Sequence, residues 1–349
     1  MTMMNNTAAI RLPAEWEPQQ AVMLAWPHAL TDWHYMLDDV RACYRNIAAA
    51  IVRHAHLVIV TPDVETARAD CAGLNQARIT YICEKTNDTW ARDFGPLTTV
   101  DSNGRPTVND FKFNGWGLKF AANLDNLITS KLYTAEVFSA DYRNRLGFVL
   151  EGGSIESDGC GTILTTSECL LSPNRNGDLS RDEIERRLCE YFGARRVLWL
   201  DHGALEGDDT DSHIDTLARL APHDTILYVK CDEQTDSHHD ELAAMERELM
   251  EFRRDDGMPY NLIALPLPDP VYDEDGERLP ATYANFLVLN DAVLLPIYNQ
   301  KRKDLLASQI MRIAFPDHEI VTVDCSALIR QHGSLHCVTM QLPPDTLKI

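Results

Sequence analysis

The chain has 349 residues, of which 45% are hydrophobic and 24% charged, a balance typical of a globular protein with a sizeable core. Its 32 basic and 53 acidic residues give a net charge of −21. This charge argues against nucleic acid and anionic membrane surfaces as partners, because both are bound through excess Lys and Arg. An acidic surface suits a small cationic substrate, since it concentrates cations, although solubility alone could account for it.

The nine cysteines are scattered and include no Cys-x-x-Cys pair, so neither a zinc site nor a compact disulfide framework is predicted. Residues 1–6 lack the basic and apolar regions of a signal peptide. No apolar run approaches the ~18–20 residues that a membrane-spanning helix needs. We therefore expect reduced thiols, a cytoplasmic location and no membrane partner.

Turn residues divide the apolar segments into hairpins, and amphipathic helices follow them. The predicted hairpins pair 97–100 with 108–113, 153–156 with 162–166, 214–220 with 225–229, and 285–289 with 292–297. The predicted helices span about 33–54, 119–139, 180–193, 236–255 and 302–314, the fourth with Ser237 as its cap. Isolated strands at 57–60 and 196–200 complete about five hairpin–helix–strand units, a period that suggests radial repetition. Because no linker divides the chain, residues 1–349 are predicted to form one domain.

Three distant segments carry residues suited to attack on a cationic carbon. Segment 90–96 contains Asp93, segment 211–215 contains His213 and Asp215, and segment 333–339 contains Cys337. Hydrolysis of a guanidinium requires carboxylates to bind its N–H groups, a thiolate to attack and later leave, and an imidazole to move protons. Strand periodicity predicts that His213 and Asp215 share one face of a strand, and that His336 points away from Cys337.

These motifs, in this order and with the Glu-Gly-Gly-Ser segment 151–154 between them, resemble the agmatine deiminase branch of the guanidine-modifying (pentein) superfamily. The resemblance runs from segment 11–16 to Cys337. It implies an α/β fold, a five-bladed pseudo-symmetric α/β propeller of repeated ββαβ units with the site on its axis. The chain departs from the branch at 331–334, where Gln-His-Gly-Ser replaces the usual Gly-Gly-Gly-Asn.

The resemblance also implies roles for individual residues and a reaction. Cys337 would be the nucleophile, His213 the general acid and base, and Asp93 and Asp215 the two clamps on the guanidinium. The substrate-binding candidates are Asp209 for the amine, Trp90 and Trp116 for the aliphatic spacer, Asn285 from its hairpin position, and Glu151 behind the site. The implied reaction is hydrolysis of agmatine to N-carbamoylputrescine and ammonia through an amidino-cysteine, with no cofactor or metal and a possible homodimer. Arg92 and His336 are expected to be structural.

Three alternatives stay open at this stage. One is a peptidylarginine deiminase-like enzyme that acts on another guanidinium compound. A second is a metal-dependent amidohydrolase with His213 and Asp215 as ligands, since His-x-Asp also occurs in metal sites. A third is a catalytically silent binding module.

For ionisation, we expect Asp93 and Asp215 to raise the pKa of Cys337 and to keep His213 protonated.

Overall fold

The computed structural model describes residues 9–349, so the prediction made for residues 1–6 and the first eight residues of the predicted domain lie outside the described residues. The strands are, in chain order, β1 (Ile10–Arg11), β2 (Ala21–Ala25), β3 (His56–Thr61), β4 (Ile79–Cys83), β5 (Leu97–Asp101), β6 (Pro106–Lys112), β7 (Asp141–Val149), β8 (Ile155–Ser157), β9 (Thr162–Thr166), β10 (Arg196–Leu200), β11 (Ala218–Ala221), β12 (Thr225–Lys230), β13 (Asn261–Pro266), β14 (Leu287–Leu289), β15 (Ala292–Ile297), β16 (Glu319–Asp324) and β17 (Thr339–Leu342). The α-helices are α1 (Leu37–His54), α2 (Val64–Asp70), α3 (Ala91–Phe94), α4 (Gly115–Leu118), α5 (Ile128–Thr134), α6 (Ser167–Leu170), α7 (Pro173–Asn176), α8 (Arg181–Phe192), α9 (His239–Glu251) and α10 (Lys301–Ala314). Short 3-10 helices lie at Asp32–Tyr35, Gln76–Arg78, Asp125–Leu127, Gly152–Ser154, Ile214–Thr216 and Leu328–Gln331.

The strands form five sheets, and each sheet is built on one ββαβ unit. In each unit an antiparallel hairpin leads through a helix into a strand parallel to the second hairpin strand, as a parallel connection requires. The units are β5–β6–α5–β7, β8–β9–α8–β10, β11–β12–α9–β13, β14–β15–α10–β16 and β17–β2–α1–β3. The last unit pairs the C-terminal strand with an N-terminal one, while β1 and β4 extend two sheets at their edges. The predicted α/β fold with five repeated units is confirmed.

Helix α8 shows how local sequence sets these units. The Ser180 hydroxyl accepts the N–H of Glu183 while the Glu183 carboxylate accepts the N–H of Ser180, a capping box that satisfies two free donors. Ile184 and Leu188 lie four residues apart and are buried on one face. The helix ends at Gly193, whose φ of 63° falls in the left-handed region that glycine adopts without steric cost.

Three predicted elements differ in the structure. The helix expected at 119–139 is reduced to α5, because the side chains of Asn87 and Asp125 bind backbone N–H groups and hold the preceding chain as a loop. Ser237 does not cap α9, which begins at His239. The strand expected at 214–220 begins only at Ala218, after a 3-10 turn.

The residues immediately before the first strand of each unit meet at one place. They are Asp93 before β5, Gly153 before β8, Asp215 before β11, Asn285 before β14 and Cys337 before β17. Hydrogen bonds join neighbouring units in a closed ring: Gly153 N–H to Asp93 Oδ1 (3.0 Å), Thr166 Oγ1 to the Ser212 carbonyl (2.8 Å), Asn285 Nδ2 to the Asp215 carbonyl (3.3 Å), Cys337 N–H to Asn285 Oδ1 (3.3 Å) and Arg92 N–H to the Cys337 carbonyl (3.1 Å). All five units therefore contribute to a single site.

Among the helices of residues 9–349, none combines the length and apolar composition that a membrane crossing requires.

Candidate active site

A narrow cavity opens at the ring where the five units meet. It holds about 470 Å³ of empty space, part of which is continuous with the solvent. Its buried end is formed by Asp93, His213 and Cys337, which are 4%, 1% and 6% exposed. Trp90, Trp116, Phe120, Thr210, Thr216 and Gly333 line it further, and the acidic residues Asp32, Asp88 and Asp209 line it together with Gln331 and His332.

Cys337 lies in the turn between the 3-10 helix Leu328–Gln331 and strand β17. Its Sγ is 3.4 Å from Oδ1 of Asn285 and 3.9 Å from Oδ2 of Asp215. Burial raises the pKa of the Cys337 thiol well above its usual range, and the nearby carboxylates of Asp215 and Asp93 act in the same direction. The thiol is therefore neutral when no substrate is bound, as predicted from its carboxylate neighbours.

His213 lies at the start of a 3-10 turn rather than on a strand, so the predicted strand geometry is wrong. Asp211 and Ser212 before it have positive φ values of 64° and 61°, and this left-handed step turns the chain into the site. Both ring nitrogens are buried without a hydrogen-bond partner. Nδ1 is 3.6 Å from Oδ1 of Asp93, and Nε2 is 4.0 Å from Oε2 of Glu151.

The charge state of His213 also differs from the prediction. Burial lowers the pKa of His213 to about 3, although the Asp215 carboxylate opposes this shift. The expected protonated imidazole is thus wrong for the free protein, because the loss of hydration outweighs the attraction of the carboxylates. The neutral ring can accept a proton before it donates one.

Asp93 lines the cavity, whereas Asp215 lies behind the lining with its Oδ2 3.9 Å from Sγ of Cys337, and the two carboxylates have different electrostatic surroundings. Asp93 Oδ2 accepts the indole N–H of Trp116 at 2.9 Å, and burial together with Asp215 raises the pKa of Asp93 well above its usual range. Burial also acts to raise the pKa of Asp215, but His336 outweighs it and the pKa is lowered. Asp215 Oδ2 accepts a hydrogen bond from Nδ1 of His336 at 2.7 Å, and Oδ1 is buried without a partner. An unpartnered carboxylate oxygen and two unpartnered imidazole nitrogens are the groups expected to meet a ligand.

Gly153 allows these groups to approach one another. A Cβ at this position would lie 2.7 Å from His213 Nδ1, 2.9 Å from Asp93 Oδ1 and 3.0 Å from Asp215 Oδ2. Any larger residue would therefore displace the reactive side chains. Gly333 has a similar role on the opposite wall, where a Cβ would lie 2.2 Å from the Trp90 ring.

The other predicted substrate-binding residues surround the same cavity. Trp90, Trp116 and Asp209 line it, and burial raises the pKa of Asp209 to about 6. Asn285 and Glu151 lie outside the lining but contact residues within it. Asn285 binds the backbone and approaches the thiol of Cys337, whereas Glu151 lies behind His213 and accepts Nε–H of Arg175 at 2.9 Å.

Several residues at the site did not emerge from the sequence. His332 lies on the cavity wall within the segment 331–334 that departs from the family pattern, and its Nδ1 is 2.7 Å from the Gly207 carbonyl oxygen. Asp32 and Asp88 were given no role either. Glu15, in the segment 11–16 that opens the resemblance, lies behind the site in contact with His336. The sequence could have pointed to His332, because it lies in the segment 331–334 that differs from the family pattern. It could not have pointed to Glu15, because a single sequence does not reveal contacts between residues that are distant in the chain.

Two clusters within residues 9–349 have the side-chain types and spacing of metal ligands: Glu151 with Cys169 and His213, and Glu15 with Glu156 and His336. In each cluster an arginine already binds a carboxylate, Arg175 on Glu151 and Arg219 on Glu156. A buried guanidinium supplies the positive charge that a metal ion would otherwise bring, so neither cluster favours a cation. Cys337 belongs to neither.

The match to known proteins covers nearly the whole chain. The model of the Porphyromonas-type peptidyl-arginine deiminase family matches residues 11–343. The agmatine deiminase of Pseudomonas aeruginosa (strain LESB58) is 33% identical over 357 residues, with 95% of each protein covered. A Porphyromonas gingivalis crystal structure provisionally described as an arginine deiminase has a TM-score of 0.93 and 50% identity, with 97% of this chain and 100% of that one covered. A cysteine-to-serine variant of the C. jejuni agmatine deiminase with substrate bound has a TM-score of 0.90 and 36% identity, with 98% of each chain covered. The chain therefore belongs to the Porphyromonas-type peptidyl-arginine deiminase family.

Proposed function

We propose that this protein is an agmatine deiminase, which hydrolyses agmatine to N-carbamoylputrescine and ammonia. The observation that carries the proposal is one narrow cavity with a thiol, an imidazole and the Asp93 carboxylate at its buried end, the Asp215 carboxylate 3.9 Å from the thiol, and further carboxylates along its wall. Relatives named agmatine deiminase, one of them with substrate bound, align over almost the full chain.

The polarity of the cavity favours an amine tail over a carboxylate tail. Asp32, Asp88 and Asp209 line it, whereas no arginine of the described residues does so. A free arginine substrate would bring its own carboxylate against these acids, and the lining side chains able to carry a positive charge are only two histidines, His213 and His332. Repulsion between the substrate carboxylate and the acidic lining disfavours binding of arginine, whereas an ammonium group at the same place is attracted.

Binding of the guanidinium adds a positive charge beside the carboxylates of Asp93 and Asp215 and the thiol of Cys337. Asp93 lines the cavity, and Asp215, whose Oδ2 is 3.9 Å from the Cys337 sulfur, has an unpartnered Oδ1 able to accept one N–H of the planar cation. A bound cation stabilises the ionised forms of both Asp93 and Cys337, whose pKa values are raised in the free protein. Ionisation of the nucleophile is therefore assisted by the substrate.

The first half of the reaction forms a covalent intermediate. Neutral His213 takes the Cys337 proton, and the thiolate forms a C–S bond to the guanidinium carbon, whose C=N electron pair moves to nitrogen. His213 then gives the proton to one amino group as its C–N bond breaks. Ammonia leaves and Cys337 carries a positively charged amidino group.

The second half restores the enzyme with one water molecule. His213 removes one proton from water as the oxygen bonds to the amidino carbon, and the C–S bond then breaks with its electron pair returning to sulfur, which takes that proton back from His213. The remaining O–H proton passes to solvent, where ammonia takes it up, and the carbonyl of the ureido group forms. Together the two halves convert guanidinium and water into a ureido group and ammonium, with no net proton or electron change.

Several finer statements are part of the proposal. Catalysis would need no metal or cofactor, and residues 1–349 would act as one deiminase domain in the cytoplasm, without nucleic acid or membrane partners. A homodimer is compatible with this proposal. The support for a single domain is that all five units supply residues to one site.

The test is a ureido-product assay with agmatine, free arginine and an arginine-terminated peptide, each with and without chelator. We expect agmatine to be the preferred substrate by kcat/KM and the chelator to have no effect. Preference for arginine or the peptide would favour the peptidylarginine deiminase-like alternative. Chelator-sensitive activity that survives Cys337→Ala would favour the metal-dependent one, and no turnover of any compound would favour a binding module.

A further inference from the structure

His336, expected to be a structural residue, is held between two carboxylates behind the reactive groups. Its Nδ1 is 2.7 Å from Oδ2 of Asp215, and its Nε2 is 2.6 Å from Oε1 of Glu15. The ring is fully buried. Both distances are those of short, charge-assisted hydrogen bonds, so each ring nitrogen faces an acceptor.

The charged groups packed around His336 come from several elements. Arg219 is on β11, and its NH2 is 3.1 Å from Nε2 of His336 and 2.6 Å from Oε2 of Glu15. Glu156 on β8 binds Arg219, Arg92 on α3 lies 3.3 Å from Glu15, and the neighbouring Cys337 is a neutral thiol. Two arginines face three carboxylates, Glu15, Glu156 and Asp215, and Glu156 is paired with Arg219 although burial raises its pKa to about 7. With Glu156 ionised in that ion pair, a neutral His336 would leave this buried cluster with a net negative charge.

The titration directions around the ring oppose one another. The pKa of His336 is lowered overall, first by burial and then by Arg219 and Arg92, and Glu15 and Asp215 offset this shift only in part, so the case for a charged ring rests on the contact geometry. Burial acts to raise the pKa of Glu15 and of Asp215, yet both are lowered, for Glu15 chiefly by the charge of His336 and for Asp215 by its hydrogen bond and charge. Two ionised carboxylates 2.6 and 2.7 Å from the ring require a proton on both nitrogens.

One competing arrangement exists. A neutral ring could donate from Nδ1 to Asp215 and accept an N–H of Arg219 at Nε2, 3.1 Å away. That arrangement directs the Nε2 lone pair at the ionised Glu15 oxygen only 2.6 Å away, which is repulsive. Geometry therefore favours the doubly protonated ring.

We propose that His336 is a positioning residue for the deiminase reaction: as an imidazolium held by Glu15, it fixes the Asp215 carboxylate. It engages Oδ2 and leaves Oδ1 without a protein partner, and its charge keeps Asp215 ionised close to the Cys337 thiol. His213 also faces Asp215, but it is neutral and cannot supply this charge. The catalytic consequence of this proposal rests on the proposed function, whereas the charge state of the His336 ring is independent of it.

The first test measures the ring directly. Nitrogen-15 NMR of the histidine side chains in the substrate-free wild-type protein at pH 7.5 should show His336 with two protonated nitrogens, its signal identified by its absence in His336→Asn. A single protonated nitrogen, as in the neutral tautomer, would overturn the proposal. This measurement holds whether or not agmatine is the substrate, so it separates this proposal from the proposed function.

The second test uses variants and the pH dependence of kcat/KM for agmatine. His336→Asn can still donate a hydrogen bond to Asp215 but carries no charge. We expect its kcat/KM at pH 7 to fall by about 10- to 100-fold, in line with other outer-shell partners, and its acid limb to move to higher pH as the pKa of Asp215 rises. Glu15→Gln should move the acid limb in the same direction by a smaller amount. Without the Glu15 carboxylate, the positive charge on His336 is less stabilised and therefore keeps Asp215 ionised less effectively.

A purely structural role predicts a different pattern. His336→Asn would then lose kcat/KM equally at every pH, with a profile parallel to that of the wild type, and this result would overturn the proposal. Should His336→Asn not fold, the profile of Glu15→Gln still decides the matter, because a profile parallel to that of the wild type would overturn the proposal. His318→Asn, which alters a partly buried histidine outside the cavity lining, serves as the matched control and should leave the profile unchanged.

Discussion

His213 and His336 are both buried in one reaction centre, at 1% and 0% exposure, but their ring nitrogens have different surroundings. Neither nitrogen of His213 has a hydrogen-bond partner, whereas both nitrogens of His336 contact carboxylates. His213 faces the cavity and His336 faces an ion network. Burial therefore does not define the role of a histidine; its partners do. A group left unpartnered at a cavity is ready for a ligand, and a fully partnered one holds other groups in place.

The largest effect is expected at Cys337, the proposed nucleophile, which faces the cavity as His213 does. Cys337→Ala should lower kcat by on the order of 10⁴-fold or more, because it removes the covalent step, and should leave the fold intact. Mass spectrometry of the wild type during turnover should detect an amidino adduct on Cys337. The exposed Cys83 provides the control, as Cys83→Ala should be fully active. Near-normal turnover by Cys337→Ala would end the covalent mechanism.

His213→Gln tests the unpartnered histidine. We expect kcat to fall by about 10²- to 10⁴-fold through loss of proton transfer. Because the folded pKa of His213 is about 3 and the unfolded value about 6.5, the unfolded state binds more protons as pH falls from 6.5, and the wild type is destabilised over that range. His213→Gln should show a flatter dependence of the unfolding free energy on pH. An equally steep dependence would mean that His213 is charged in the folded protein.

Asp93→Asn and Asp215→Asn test the two carboxylates that lie next to the histidines: Asp93 beside His213, and Asp215 bonded to His336. Each should lower kcat/KM by well over about 100-fold, since removal of one buried charged partner costs ~2–5 kcal/mol. Asp141→Asn, which alters an exposed carboxylate at the start of β7, is the control and should behave as wild type. If either active-site variant stays within about threefold of wild type, that residue is not a guanidinium clamp.

The ionisation of Cys337 depends on whether the positive charge that stabilises the thiolate comes from the bound substrate or from a protonated His213. Its pKa is raised by burial and by Asp215 and Asp93 in the free protein, and a bound guanidinium should lower it by neutralising those carboxylates. Thiolate absorbance against pH, with and without a non-hydrolysable guanidinium ligand, measures this shift, with Cys337→Ser to subtract the other eight cysteines. A thiol that is ionised near pH 6 without ligand and does not respond to it would instead indicate a preformed ion pair with His213.

The smallest effect is expected at Asp209, on the cavity wall. Burial raises its pKa to about 6, so it is charged above that pH and loses its attraction for the substrate amine as pH falls through it. The KM for agmatine should then rise by about 10-fold, since a hydrogen bond to a charged group is worth about 1.5 kcal/mol. Asp209→Asn should have the high KM at every pH. A KM that rises through pH 6 equally in this variant would assign the effect to Asp88 or another group.

The sequence alone identified the elements in which local pattern and packing agree. The hairpins around 101–106 and 158–161 follow from turn residues between apolar segments, and α8 and α10 follow from amphipathic periodicity. The motif around Cys337, with those around Asp93 and His213, was enough to identify the family and the reaction class. Such features depend on residues close together in the chain, and a single sequence records them directly.

Only the tertiary structure decided the features that depend on contacts between distant residues. The loop before α5 forms because Asn87 and Asp125 bind backbone groups across about 38 positions, which helical periodicity cannot reveal. His213 enters the site through a left-handed turn rather than a strand, and burial makes it neutral. His336, one residue from the nucleophile, acquires its surroundings from Glu15, Asp215 and Arg219, which are 321, 121 and 117 positions away. Charge state and partner choice are properties of the folded environment, because desolvation and short-range electrostatics arise only once these segments meet.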